Sequence, residues 1–137
     1  MRKHKGFTLI ELVVVVMILG ILAAVAAPKL LNTSGAASDN AAKESLGVVR
    51  EAIERYAAEH GGTLPDGTSE STFKGALTNY IRSFPKNPIS NTADVAVVTT
   101  TTPTGATAWM YNKTDGTFII NSSATTKVDP PNTYDKW

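Results

Sequence analysis

The chain has 137 residues, room for about one domain, with 42% hydrophobic and 18% charged residues and a formal net charge of +1. That balance excludes binding of nucleic acid through bulk basicity, because no Lys/Arg patch appears beyond Arg2, Lys3 and Lys5 at the N-terminus. The absence of cysteine excludes disulfides, thiolate catalysis, iron–sulfur clusters and Cys-based zinc sites.

These averages hide two materials joined end to end. From Phe7 to Ala27, 21 residues carry one charge, Glu11. A helix of that length, rising about 1.5 Å per residue, matches a hydrocarbon core about 30 Å thick. The basic cluster directly before it predicts, by the positive-inside bias, a cytoplasmic N-terminus and an exported C-terminal body. A Sec signal peptide shares the basic start and the apolar run; cut near Ala24-Val25-Ala26, it would release a secreted soluble binding domain after Ala26 or Ala27. Two features count against it: the run exceeds the usual apolar region of about 7–15 residues, and a carboxylate lies inside it. A charge at membrane depth costs at least a few kcal/mol on insertion scales, so Glu11 needs a cationic partner. No Lys, Arg or His lies within 7–27, which leaves another chain or a newly made amino terminus.

Lys5-Gly6-Phe7-Thr8-Leu9-Ile10-Glu11-Leu12 in front of an apolar stretch resembles the prepilin processing signature of type IV pilins and type II secretion pseudopilins. The resemblance implies that a prepilin peptidase cuts between Gly6 and Phe7 and that Phe7 is N-methylated. Residues 1–6 are then a leader, 7–27 a transmembrane and assembly helix, and 28–137 an exported domain. Pro28 falls where the family commonly carries a proline that kinks or interrupts the long first helix. Gly20 and Pro28 bracket the stretch where helical bonding is weakest, since Gly costs about 1 kcal/mol and Pro about 3 kcal/mol relative to Ala. Cleavage also supplies the missing cation. Glu11 lies four residues beyond Phe7, about 6 Å along a helix. A neighbour's Phe7 ammonium facing Glu11 cancels two buried charges, either of which costs several kcal/mol alone, and sets the axial register. The small residues Gly20, Ala23, Ala24, Ala26 and Ala27 permit close approach of such helices.

After Pro28 the pattern turns amphipathic. Ala42, Leu46, Val49, Ile53 and Tyr56 recur at steps of four and three, predicting a helix from about Ser34 or Ser38 to His60 that packs on its own domain and is stopped by Gly61-Gly62. Pro65-Asp66-Gly67 marks a loop, and Phe73, Leu77, Tyr80 and Ile81 share one face of a short helix from Ser71 or Thr72 to Tyr80 or Ile81. Phe84-Pro85-Lys86-Asn87-Pro88 breaks that helix, because proline lacks an amide donor and disfavours helix in the residue before it. The resemblance covers this connector too, with Asn87 where pseudopilins often carry Asp. Val95–Thr101 reads as a strand, and Trp109–Tyr111 and Thr117–Asn121 flank Asp115-Gly116 as a hairpin. The expected fold is α+β and pilin-like: a long N-terminal helix packed on a small three-stranded antiparallel sheet within about 94–122, followed by a C-terminal loop over 123–137.

In that loop Asp129, Asn132 and Asp135 offer oxygens. Resemblance to major pseudopilins points to calcium there, with Asp129 and Asp135 as candidate ligands, although calcium takes six to eight oxygens and no EF-hand spacing occurs. The alternative is a solvated tail closed by Tyr134 and Trp137 packing on the sheet. His4 sits in the leader and His60 at a helix end, so no histidine pair serves the mature domain, and no nucleophile elbow, phosphate loop or dinucleotide fingerprint occurs. Asn32, Asn112 and Asn121 begin Asn-x-Ser/Thr triplets that read as chance matches, and Thr99–Thr102 as a polar strand.

The expectation is therefore a non-enzymatic filament subunit. By resemblance its partners are copies of itself in a helical fibre, a prepilin peptidase, an inner-membrane platform with its ATPase machinery, and minor pilins or pseudopilins. The expected site is the bacterial inner membrane, with the assembled fibre periplasmic or extracellular. The cysteine-free domain, the proline connector and the acidic C-terminal loop favour a type II secretion pseudopilin over a type IV major pilin, since many of the latter carry a C-terminal disulfide loop. Without the leader the chain has ten basic and twelve acidic side chains, a net of −2. The basicity belongs to topology.

Overall fold

The computed structural model describes residues 6–137, apart from the side chains of Leu31 and Asn32; the basic leader residues Arg2, Lys3 and Lys5 lie outside the described residues. The chain divides into two compact units, Met1–Ser34 and Gly35–Trp137. One element, helix α1 (Leu9–Glu59, 51 residues), contributes to both.

Pro28 lies inside α1 and does not interrupt it. The amphipathic segment accordingly has no helix start of its own near Ser34 or Ser38, contrary to the sequence-based expectation. A proline removes one intrahelical bond, and the residues around it, Ala26, Ala27 and Leu30, are strong helix formers that carry the backbone past the defect.

In the second unit the periodic residues do what their spacing implies. Ala42, Leu46, Val49 and Ile53 are buried, and Tyr56 packs half-buried at the edge of the same core. The helix ends where Gly62 donates back to the Ala57 carbonyl at 2.7 Å, and Gly61 and Gly62 both take positive φ, which glycine adopts without a Cβ penalty. Helix α2 (Glu70–Ala76) starts one to two residues earlier and ends four to five residues sooner than its apolar pattern predicts. Its start is set by a capping box: the Thr72 amide donates to Ser69 Oγ and the Ser69 amide to Thr72 Oγ1. Beyond it the amides of Tyr80 and Ile81 both donate to the Leu77 carbonyl, a turn that does not propagate.

Strands β1 (Val95–Val98), β2 (Trp109–Asn112) and β3 (Phe118–Ile120) form one sheet in the order β1-β2-β3. The β2–β3 pair is the antiparallel hairpin that Asp115-Gly116 signals, with Tyr111 opposite Phe118. In its turn Gly116 has φ +78 and the Asp115 carboxylate accepts from the Thr117 amide. The β1–β2 pair, however, is parallel, Val95 lying opposite Trp109, so the sheet is mixed rather than antiparallel throughout. Two polar side chains outside the strands account for this. Buried Asn121 accepts from the Thr104 amide at 2.7 Å and donates to Thr107 Oγ1 at 2.8 Å, drawing the 99–108 loop back across the sheet end. Asp94 then receives the Ala108 amide on its carboxylate and the Trp109 amide on its carbonyl, which fixes the register.

Central strand β2 is buried along its whole length. Phe73 of α2 stacks on Tyr111 at 4.0 Å and Trp109 on Phe118 at 5.4 Å, joining α2 and the sheet in one aromatic core with the α1 stripe. Each large side chain so buried stabilises the fold by about 1.5–3 kcal/mol. The proline connector is fastened to this core: Trp109 Nε1 donates to the Pro85 carbonyl, and buried Asn87 donates to the Ala108 carbonyl at 3.0 Å while accepting from the Ile89 amide. The chain after Asn121 is more ordered than expected, with a bridge between Thr125 and Thr133 and a 3₁₀ turn, Tyr134–Lys136, in which Tyr134 is buried.

Candidate functional site

Gly6, Phe7 and Thr8 are non-helical and lead into α1. Thr8 and Glu11 close a capping box of their own. The Glu11 amide donates to Thr8 Oγ1 at 3.3 Å, while the Glu11 carboxylate accepts from the Thr8 amide at 2.9 Å and the Thr8 hydroxyl at 2.6 Å. Glu11 thus has two donors in its own chain, next to the Gly6-Phe7 bond. The carboxylate also neighbours the positive end of the α1 dipole, where a negative charge is favoured. The Thr-x-x-Glu spacing from Thr8 to Glu11 carries this cap in the sequence itself, and reading Glu11 only as a partner for a cation overlooks it.

From Phe7 to Leu30 the large apolar side chains are exposed, Phe7 at 78%, Leu9 at 80% and Val25 at 74% among them. The helix is long and apolar enough to cross a membrane by length and composition. Phe7, Ile10, Glu11, Val14 and Val15 line one shallow concave patch, so the carboxylate sits within an otherwise apolar surface. A Cβ at Gly20 would meet nothing within 4 Å. Gly6, Phe7 and Glu11 are therefore brought together at one end of α1. Gly20 and Pro28 lie further along the same helix, and Pro28 marks no break in it.

The C-terminal candidates do not converge. Asp129 Oδ2 accepts from Asn132 Nδ2 at 2.7 Å, and Asp135 Oδ2 lies 3.3 Å from Lys136 Nζ. Among the described residues no group of three or more His, Cys, Asp or Glu side chains is placed to hold a metal ion. Calcium also takes backbone and amide carbonyls and water, and in this loop Asp135 Oδ1 is buried without a hydrogen-bond partner.

The buried carboxylate of the second unit is instead Asp39, on α1, which accepts from the Lys127 and Val128 amides and from the Tyr134 hydroxyl. Burial and this bond to Asp39 push the Tyr134 hydroxyl up to about 12, so it remains a donor across the physiological range. A single Asp near the predicted start of an amphipathic helix carries no sequence signal for such a role.

Comparison with known proteins agrees with this geometry. A family profile described as a prokaryotic N-terminal methylation motif matches residues 1–27. The chain is 31% identical to the fimbrial protein EcpB of Eikenella corrodens, over 89% of this chain and 73% of that one. It is 32% identical to the type II secretion system core protein G of Vibrio cholerae, over 66% of this chain and 69% of the relative. It is 30% identical to the type IV major fimbrial protein FimA of Dichelobacter nodosus, over 97% of both. No solved structure matches. With a methylation motif at its start, a 51-residue helix and a small mixed sheet, the chain belongs to the type IV pilin-like family, which includes both secretion pseudopilins and fimbrial pilins.

Proposed function

We propose that this chain is the structural subunit of a pilus-like filament, matured by a prepilin peptidase that cuts after Gly6 and by N-methylation of Phe7. The observation that carries the reading is the exposed apolar half of α1, with one carboxylate, Glu11, beside the Gly6-Phe7 bond. Apolar surface on that scale needs lipid before assembly and other helices after it. The lone carboxylate needs a counter-charge in both settings. Before assembly, the Thr8 cap supplies two neutral donors. After the cut, the Phe7 ammonium of an adjoining subunit supplies a full charge and fixes the axial stagger. The machinery that this requires comprises the peptidase, an inner-membrane platform with its ATPase, and minor pilins or pseudopilins. The positive-inside bias places residues 1–6 in the cytoplasm and the Gly35–Trp137 unit across the membrane.

Within the family we favour the major pseudopilin of type II protein secretion, on the cysteine-free domain and the similarity to core protein G. The end-to-end similarity to FimA supports a second reading, the major pilin of a type IV pilus. Two measurements test the proposal. Gly6→Ala is expected to leave the leader attached, seen as an unprocessed mass, and Glu11→Val to be processed but absent from sheared fibres. Normal fibres from Glu11→Val sink the pairing. Deleting the gene is expected to stop export of folded proteins under the first reading and to remove surface fibres under the second.

A further inference from the structure

Among the described residues Asp39 is the most deeply buried carboxylate, 1% exposed, and none of their ion pairs involves it. All the donors it is given come from one segment: the amides of Lys127 and Val128 and the hydroxyl of Tyr134, the last two at 2.9 and 2.7 Å. That segment is closed on itself. The Thr126 amide donates to the Asn132 carbonyl and the Tyr134 amide to the Ala124 carbonyl, either side of the Thr125–Thr133 bridge. Residues 124–134 are therefore cross-linked to one another by backbone hydrogen bonds, and Asp39 ties them to the helix.

The same stripe of α1 continues the attachment. A Cβ at Gly35 would come within 3.1 Å of Lys127 Cγ, Lys43 Nζ lies 4.3 Å from the centre of the Trp137 ring, and an Arg50 guanidinium nitrogen donates to the Trp137 carbonyl at 2.6 Å. Positions 35, 39, 43 and 50 are separated by four, four and seven residues, so they lie along one face. The strap has no cysteine to staple it.

We propose that Asp39 is the latch of a strap formed by residues 124–137, and that without this carboxylate the strap opens locally while the sheet stays folded. The physical reason is that one charged group satisfies two backbone amides and a hydroxyl together. A neutral amide of the same shape can keep its oxygen on the two backbone amides and donate to the Tyr134 oxygen, so what it removes is the charge on the acceptor. Bonds to a charged acceptor are also about twice as strong as neutral ones.

The test is hydrogen exchange on the full chain in detergent micelles. In Asp39→Asn, exchange at the Lys127 and Val128 amides is expected to quicken at least about tenfold, with the amides of β2 and β3 unchanged. Trypsin should then also cut after Lys127. Unchanged protection at those two amides overturns the latch, as does acceleration spread equally through β2 and β3. Should that variant not fold, Tyr134→Phe removes one donor and keeps the ring; a few-fold quickening at the same amides supports the latch and none refutes it.

Discussion

The two ends of α1 make opposite use of the same secondary structure. Between Leu9 and Leu30 its large apolar side chains are exposed all round, whereas between Ala42 and Ile53 one stripe is buried and the opposite face carries Glu44 and Glu51. A helix that is apolar on every side is a helix whose solvent is lipid or other helices, and one that is apolar on a single stripe has its partner in its own domain. The first half is thus specified for association and the second for folding. Their failures should be separable.

The largest separation is expected from Glu11→Val. It should abolish fibres while leaving the melting temperature of the Gly35–Trp137 unit unchanged by calorimetry; a shift of several degrees would break the comparison. Trp109→Ala acts from the other side. It empties a fully buried site that stacks on Phe118 and holds Pro85, at a cost of about 3–5 kcal/mol by denaturant unfolding, with membrane insertion unaffected.

A smaller effect concerns pH. Burial pushes the hydroxyls of Tyr111 and Tyr134 up to about 12, Tyr134 also through Asp39, while Tyr111 donates to the Pro65 carbonyl. Folding favours their protonated forms, so this stabilisation is complete below the ordinary value of 10.0 and disappears as the pH rises through about 12. Tyr134→Phe should flatten that alkaline decline, measured as melting temperature between about pH 10 and pH 12; an unaltered slope would remove Tyr134 from the account. The smallest effect is expected from Glu51→Ala. Its pair with Arg55 is exposed on both sides and contributes a few tenths of a kcal/mol.

How far the sequence could be read depends on whether the deciding interaction is local. The apolar run, the Gly6-Phe7 motif, the four-and-three stripe from Ala42 to Ile53 and the Asp115-Gly116 hairpin were all legible, because periodicity and turn chemistry act over a few residues. The capping box at Thr8 and Glu11 was equally local and could have been read from its spacing. The parallel pairing of β1 and β2 was not, because it rests on Asp94 and Asn121 reaching a loop 14 to 17 residues away. The continuity of α1 through Pro28 reflects a balance between one lost bond and strong helix formers on both sides, which proline as a punctuation mark conceals.

By itself the sequence determined the chemistry that must be met: a helix long and apolar enough to span a membrane, a carboxylate set within that apolar run and a domain without covalent staples. Only the tertiary structure decided how the domain closes. Asp39 lies 88 residues from the Lys127 amide it binds. No pattern along the chain records a bond that exists only once the strap has folded back onto the helix, because the donors are backbone amides that every residue type but proline provides.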